Sequence, residues 1–343
     1  MLRIYAREAD RLVRVEANAS APETEIQLQS EVLSLVQPQL SVWYDLVNPL
    51  LSESRLVEHE LGIALPSRDE MEEIELSARL YQEDGAEFMT ITALTDLDSD
   101  DPRKTPVTFA LKGPSLVSIR YADHKPFDVF SNRAQRAKGT GVAITGESIM
   151  IGLLESLIDR MADTLERLAN EIDTISRDVF RNKVANAQKK THDLQSLIEQ
   201  IGRKGDFLTM VRESLVSISR LISYHTALET SARKISKDAR QRIKLIQRDA
   251  TSLGEHATFM TSKINFLLDA TLGLINLEQN QIIKIFTVAS VVFLPPTLVA
   301  SIYGMNFDIM PELKWGIGYP WAMLLMVLSA AMPFLYFKKR GWL

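Results

Sequence analysis

Cysteine is absent from the 343 residues, which excludes disulfides and thiolate metal sites. No glycine-rich phosphate loop or Ser/His/Asp set is found, so neither ATP hydrolysis nor enzymatic catalysis is predicted, and no organic cofactor is indicated. The net charge of −5 gives no reason to expect nucleic acid as a partner. No apolar signal segment is present at the N-terminus. The histidines stand singly, without the spacing of a zinc site: His59, His124, His192, His225 and His256.

Proline is missing between Phe127 and Leu294, which favours long helices. Apolar residues recur at helical spacing in Thr145–Phe180 and in Leu194–His225, where Gly202–Gly205 is a weak point. A third helix is predicted from Asp238 onward. We expect these helices to pack against each other or against further copies of the chain.

The first 130 residues are typical of a small mixed α/β unit. Ser41–Val47 is strand-like, and Ser67 with Glu70 forms a capping box for a helix predicted to run to about Arg79. Hairpins are predicted around Asp84-Gly85, the dipeptide of a type I′ turn, and around residues 112–115. The acidic run Asp96–Asp101 is interpreted as a solvated loop in preference to a cation site.

Two apolar spans lie near the C-terminus. Ile285–Tyr303 carries no charge and is long enough to cross a bilayer as a helix, and Ile317–Phe337 forms the second span. Basic residues flank the outer ends of the pair, with Lys284 before it and Lys338–Arg340 after it. The positive-inside rule therefore predicts a lipid-embedded protein with both termini in the cytosol.

The first span has one polar side. Nearly all the small or polar residues of the span fall in one register of alternating three- and four-residue steps. Counted back from Ser301, the register contains Thr297, Leu294, Ser290, Thr287, Ile283, Asn280, Asn276, Gly273 and Asp269. Because polar groups in lipid face a helix interface or water, the stripe indicates either a pore or hydroxyl contacts between two helices, and we favour the pore. Leu294 and Ile283 would be its narrow, dry points. Pro295-Pro296 would free backbone carbonyls toward the lumen.

The first span ends in Tyr303-Gly304-Met305-Asn306. A glycine here would end the helix with a positive φ. A ring of Asn306 amides and backbone carbonyls suits a hard cation that keeps its water, as Mg²⁺ does. Glu312 and Asp308 in the outer loop would attract cations.

The combination of Tyr303-Gly304-Met305-Asn306, Met310-Pro311-Glu312-Leu313, two C-terminal spans and a basic tail resembles the CorA family of magnesium channels. The stretch from Glu278-Gln279-Asn280 through Pro295-Pro296-Thr297 to the final Trp342-Leu343 is similar to the enterobacterial type of that family. The match is densest over about the last 80 residues. The resemblance implies a funnel-shaped homopentamer in a bacterial inner membrane, with an α/β cytosolic domain, a long helical stalk and two transmembrane helices. Gly304, Met305 and Asn306 match its selectivity ring. Asn280, Ile283, Leu294 and Thr297 match pore-lining positions, and Asp269 matches an acid of the stalk.

The resemblance also implies influx of Mg²⁺ down its electrochemical gradient, with Co²⁺ and Ni²⁺ as further cargoes and closure when cytosolic Mg²⁺ binds acidic subunit interfaces. The regulatory acids cannot be matched, and Asp96–Asp101 is the candidate. A ZntB-like zinc transporter of the same fold and a membrane-anchored scaffold remain as alternatives. The expected domains are 1–130 (α/β), 131–282 (long helices with the stalk), 283–304 and 317–337 (transmembrane helices), 305–316 (periplasmic loop) and 338–343 (basic tail).

Overall fold

The computed structural model describes residues 1–8, 11–15, 41–99, 101–136, 144–181, 187–228, 235–306 and 310–342. These residues form two units. The first contains Met1–Ser176 with Gln200–Asn265, and the second contains Arg177–Glu199 with Phe266–Leu343.

The first unit is built on a seven-stranded sheet of order β2-β1-β3-β7-β6-β5-β4. Neighbouring strands are antiparallel except β3 and β7, which pair in parallel through Trp43 with Leu116 and Val47 with Arg120. The strands are β1 (Leu2–Glu8), β2 (Arg11–Val15), β3 (Ser41–Val47), β4 (Leu80–Glu83), β5 (Ala86–Thr95), β6 (Arg103–Lys112) and β7 (Ser115–Arg120).

Two hairpins of the sheet confirm predictions made from turn residues. Asp84 and Gly85 both have positive φ, 50° and 67°, as a type I′ turn requires. Gly113 has φ 55° at the first central position of the β6–β7 turn, which is where a type II′ turn needs glycine. The predicted strand Ser41–Val47 is also observed with the same bounds.

Eight α-helices and one 3₁₀ helix lie in the part of the chain that the structure describes. They are α1 (Leu51–Leu61), α2 (Arg68–Glu72), α3 (Leu76–Arg79), α4 (Lys125–Arg136), α5 (Gly146–Arg181), α6 (Ala187–Ala227), α7 (Lys237–Tyr303), the 3₁₀ helix Pro311–Lys314 and α8 (Gly318–Lys339).

The capping box at the start of α2 is confirmed, but the predicted length of that helix is wrong. Ser67 Oγ accepts the backbone N–H of Glu70 at 3.3 Å, and Glu70 Oε2 accepts the N–H of Ser67 at 2.7 Å. The helix ends at Glu72, and Glu73 turns to an extended ψ of 144° before α3 begins. Three of the four residues from 72 to 75 are glutamates, and acidic side chains oppose the negative end of a helix dipole.

The long helices α5 and α6 bury their apolar faces within the chain. The stripe predicted in α5 is buried: Ile149, Leu153, Leu157, Met161, Leu165, Leu168, Ile172 and Ile175. Helix α6 runs without a break through Gly202 and Gly205. A Cβ at Gly205 would stand 3.4 Å from the side chain of Ile264 on α7, so glycine there permits close helix packing.

A buried ion pair joins the parallel strands β3 and β7. Arg120 donates to Asp45 through Nη2 at 2.8 Å and through Nε at 3.1 Å, and both side chains are almost completely buried. Ser118 bridges the pair to Trp43, accepting from the indole at 2.9 Å and donating to Asp45 at 2.8 Å. Removing one partner of such a pair costs about 3–5 kcal/mol, because the other charge is then buried alone.

His124 lies beside this pair in its neutral form. Its Nδ1 lies 3.1 Å from the carbonyl of Ala122, and its Nε2 lies 3.0 Å from the hydroxyl of Thr105. A carbonyl only accepts, so Nδ1 carries the hydrogen and Nε2 accepts from Thr105. Burial, with Arg120 adding to the effect, lowers the pKa of His124 from 6.5 to about 4.

This geometry predicts a pH-dependent loss of stability in the α/β unit. Below pH 6.5 the unfolded chain gains a proton at His124, whereas the folded chain gains none until the pH approaches 4. Stability should therefore be fully present above pH 6.5 and fall by about 2 kcal/mol between pH 7 and pH 5. The measurement is urea unfolding followed by the emission of Trp43, which is fully buried in this unit.

The matched variant is His124→Asn, whose side-chain amide keeps a donor near the position of Nδ1. It should lose this part of the pH dependence. An identical fall in stability for wild type and variant over the same pH range would contradict the assignment of a neutral, buried imidazole.

Candidate functional site

Helices α7 and α8 are each long and apolar enough to cross a membrane. In the most apolar 18-residue segment of each helix, only 6% of the residues are buried within the chain. Their side chains therefore face outward, as lipid-embedded or inter-subunit surfaces do. The 283–304 and 317–337 spans expected from the sequence fall on the end of α7, which stops at Tyr303, and on α8, Gly318–Lys339.

Helix α7 continues through Pro295 and Pro296. A proline has no N–H to donate to the carbonyl four residues earlier, so the carbonyls of Val291 and Val292 lose their usual helical partners. Such freed carbonyls are tolerated at membrane depth where protein or water covers them.

One face of the end of α7 is covered within the chain. Val288 is only 5% exposed, and the residues around it on that face are less exposed than their neighbours: residues 292, 295, 296, 299 and 303. Ala322 is the buried residue of α8, and Lys284 Nζ lies 5.8 Å from the ring centroid of Trp342, just after α8. We infer that α8 covers this face of α7.

The predicted polar stripe lies on the other side of α7. At about 100° per residue it is centred about a third of a turn from Val288. Its members from Asp269 to Ser301 are exposed, apart from the half-buried Thr287, and the exposed fractions of Ile283 and Leu294 are 60% and 65%. The intrachain contacts of α7 therefore leave the whole stripe available to other copies or to water.

The two threonine hydroxyls of the stripe act as acceptors toward the outside. Thr287 Oγ1 donates to the carbonyl of Ile283, and Thr297 Oγ1 donates to the carbonyl of Phe293, each at 2.8 Å. Because each hydrogen is used within the helix, only oxygen lone pairs remain for an outside group. Lone pairs suit the water of a hydrated cation.

The register of the stripe continues by one step beyond Asp269, to Phe266, which the sequence analysis did not include. Phe266 lies three residues before Asp269, in the same three-and-four register, and it is 61% exposed although it stacks on Phe180 at 6.1 Å. Continuing the count by one step would have found it.

At the other end of the stripe, the prediction of a positive φ at Gly304 is wrong. Its N–H donates to the carbonyl of Ala300 at 3.0 Å, and the N–H of Met305 donates to Ile302 at 3.3 Å, so the helix ends by tightening its last turn. Gly304 is not among the glycines with positive φ, contrary to the expectation from its place after the helix. A Cβ at Gly304 would stand 3.1 Å from the carbonyl oxygen of Ala300, and this close approach is what favours glycine.

The residues after Gly304 are open to solvent. Met305 is 48% exposed, and Asn306 is exposed. Glu312 lies half-buried in the 3₁₀ helix Pro311–Lys314, and Asp308 lies outside the described residues. No hydrogen bond joins Glu312 to Gly304–Asn306 in the part of the chain that the structure describes.

Two acids of the loop Asp96–Asp101, Asp98 and Asp101, are paired with basic residues of the chain itself. Asp98 pairs with Lys125 at 2.6 Å, Arg160 at 2.5 Å and Arg167 at 3.1 Å. Hydrogen bonds from Lys125 and Arg160 hold the pKa of Asp98 far below its ordinary value. Asp101 pairs with Arg103, and Asp100 lies outside the described residues. No group of three or more potential metal ligands from His, Cys, Asp and Glu occurs within the described ranges.

A family model, curated relatives and a solved structure all match this chain and all carry the same family name. The family described as CorA-like Mg2+ transporter protein matches residues 39–339. The chain is 36% identical over 345 residues to the magnesium transport protein CorA of Salmonella typhimurium, and 35% identical over 344 residues to that of Escherichia coli, with 100% of each protein covered. The complete structure of the CorA magnesium transporter from Methanocaldococcus jannaschii matches with a TM-score of 0.75 at 17% identity, covering 100% of this chain and 99% of that one.

The position of the stripe predicts a labelling pattern. Because the chain has no cysteine, single replacements can be read without a background. Ser290→Cys and Thr297→Cys should react with a water-soluble, cationic thiol reagent added to the membrane-embedded protein, whereas Val288→Cys should be protected. All three should react after denaturation. Equal modification of the three in the membrane would contradict the protection of the Val288 face, and modification of Val288→Cys alone would show that the stripe does not face water.

Proposed function

The chain belongs to the CorA family of magnesium transporters, and from this premise we propose that it is a channel through which Mg²⁺ enters the cytosol. Proteins of this family transport ions and are not enzymes. They are inner-membrane proteins with two C-terminal membrane helices and cytosolic termini, which places this chain in a bacterial inner membrane. The observation that carries the proposal is the exposed polar stripe of α7.

A single α7 cannot enclose water, so the pore requires several copies around an axis. We propose a homopentamer, in which each copy turns its stripe toward the centre and its Val288 face toward its own α8. In this arrangement Asp269, Asn280, Ile283, Thr287, Leu294, Thr297 and Ser301 line the pathway.

The pathway alternates acceptor rings with apolar rings. Thr287, Thr297 and Ser301 present oxygen atoms, and Asn280 presents an amide. Ile283 and Leu294 are the apolar constrictions, at which a narrow pore loses its water and closes. Asp269 supplies a negative ring at the cytosolic end.

Selection takes place at Gly304, Met305 and Asn306. Mg²⁺ prefers oxygen ligands and gives up its water reluctantly. A ring of Asn306 amides with the nearby backbone carbonyls would hold the hydrated ion without stripping it, and the small Gly304 keeps this backbone close to Ala300. Glu312, together with Asp308, would raise the local cation concentration outside this ring.

The membrane potential supplies the energy. A divalent cation that moves inward across about 100 mV gains roughly 4–5 kcal/mol. This is enough to drive uptake without ATP. The basic tail Lys338–Arg340 and Lys284 lie on the inner side, where they anchor the spans.

Closure by cytosolic Mg²⁺ is part of the proposal, with Mg²⁺ acting as the regulatory ion at acidic subunit interfaces. The acids remain unassigned. Asp98 is a poor candidate, since its carboxylate already has three basic partners.

Replacement of Asn306 by alanine should abolish Mg²⁺ uptake while leaving the pentamer intact, because the amide ring at the mouth is lost while the helix surfaces before it are unchanged. The measurement is Mg²⁺ uptake into cells or vesicles, with oligomeric state checked by cross-linking. Asn132→Ala removes an exposed amide of the α/β unit and is the matched control. Undiminished uptake in Asn306→Ala would contradict the assignment of the mouth.

The cargo is tested by competition. The measurement is uptake of labelled Mg²⁺ through the purified protein. We expect excess unlabelled Mg²⁺ to suppress this uptake more effectively than excess Zn²⁺ does. Co²⁺ and Ni²⁺ should also compete, because they form octahedral hydrated ions. The 36% identity to a magnesium transport protein supports Mg²⁺ over Zn²⁺ as cargo. Stronger competition by Zn²⁺ would favour the zinc-transporting alternative.

A further inference from the structure

A cleft of about 580 Å³ lies on the α/β unit between the sheet and α6. Its volume is in the range of small-molecule sites. The ion pathway does not use it. Its main lining residues are Arg79, Lys104, Thr105, Arg212, Val216 and Arg220.

The cleft has a surplus of positive charge. Its two acids are already paired, Glu72 with Arg68 at 3.0 Å and Glu213 with Lys104 at 2.9 Å. By contrast, the guanidinium groups of Arg79, Arg212 and Arg220 have no carboxylate partner among the residues that the structure describes. Four basic and two acidic side chains line the cleft, so its lining carries a net charge of +2.

Arg79 is held inside this charge cluster by neutral acceptors. Its Nε donates to the carbonyl of Glu73 at 2.5 Å, and its Nη1 donates to Thr92 Oγ1 at 3.0 Å. Burial lowers the pKa of Arg79, and Arg220 lowers it further, because a second positive charge lies nearby. Both effects disfavour a charged Arg79, and an anion in the cleft would offset them.

The wall of the cleft is fixed by an unusual junction between β5 and α6. Thr92 pairs with Pro106 on β6, and a proline has no N–H to give. Ser214 Oγ instead donates to the carbonyl of Thr92 at 2.5 Å, and the N–H of Thr92 donates to Ser217 Oγ at 3.0 Å. This junction holds α6 so that Arg212, Val216 and Arg220, spaced four residues apart, share the face that lines the cleft.

We propose that this cleft binds a phosphate ester that carries an apolar or planar group, the chemistry of a nucleotide. Guanidinium groups match phosphate oxygens in pairs, and the three in this cleft offset most of the negative charge of a di- or triphosphate. Ile74 is 92% exposed and Val216 is 42% exposed at the same cleft, and these side chains provide an apolar surface for the base. The inference concerns the α/β unit and does not rest on the pore.

The experiment measures binding to the full-length protein in detergent by titration calorimetry. ATP and ADP should bind, inorganic phosphate should compete with them, and adenosine should not bind. The double variant Arg79→Gln/Arg220→Gln should bind ATP at least tenfold more weakly. Arg103→Gln, which removes a mostly exposed arginine paired with Asp101, is the matched control and should bind like wild type.

Two further measurements keep the result decisive. The emission of the buried Trp43 shows that each variant is folded. Titration with glycerophosphoglycerol, the water-soluble head group of phosphatidylglycerol, tests lipid phosphate as the source. The proposal is wrong if ATP and ADP fail to bind the wild type, or if the folded double variant binds them equally well. It is also wrong if only the lipid head group binds, or if the substitutions alter subunit assembly while no nucleotide binds.

Discussion

Lipid offers no hydrogen bonds, and this constraint governs the C-terminal half of the molecule. Helix α7 satisfies its backbone internally, apart from the carbonyls freed by Pro295 and Pro296, yet it carries polar side chains along one line. The hydroxyls of Thr287 and Thr297 bond to their own helix and still offer lone pairs outward. The face around Val288 is covered within the chain, while the stripe is not. The polar line therefore requires water or other copies of the same helix.

The end of the helix follows from the same constraint. Where α7 leaves the apolar region it stops at Tyr303, and Gly304 lets the chain pass close to the Ala300 carbonyl. Met305 and Asn306 are then exposed at the end of the stripe. The proposed selectivity ring thus follows directly on the end of the stripe, where Met305 alone separates the small Gly304 from the amide of Asn306.

Features that depend only on residues close together in the sequence could be predicted from it. The Asp84-Gly85 turn, the Ser67–Glu70 capping box and the buried stripe of α5 have local causes. The parallel pairing of β3 with β7 has no local signal, because its strands are far apart in the sequence. The early end of α2 and the ordinary φ of Gly304 were missed because turn rules ignore charge repulsion and close backbone contacts. The stripe could be predicted from its period. The face of α7 around Val288, which is covered within the chain, could be identified only from the structure.

The central claim is that the stripe encloses a passive path for Mg²⁺. The most direct test is Mg²⁺ entry into liposomes that contain only the purified protein and a trapped indicator, with a potassium gradient and valinomycin setting the potential. The account predicts entry without ATP, at a rate that rises as the interior is made more negative. Entry no faster than in protein-free liposomes at every potential, under conditions where the protein is folded and inserted, would contradict it.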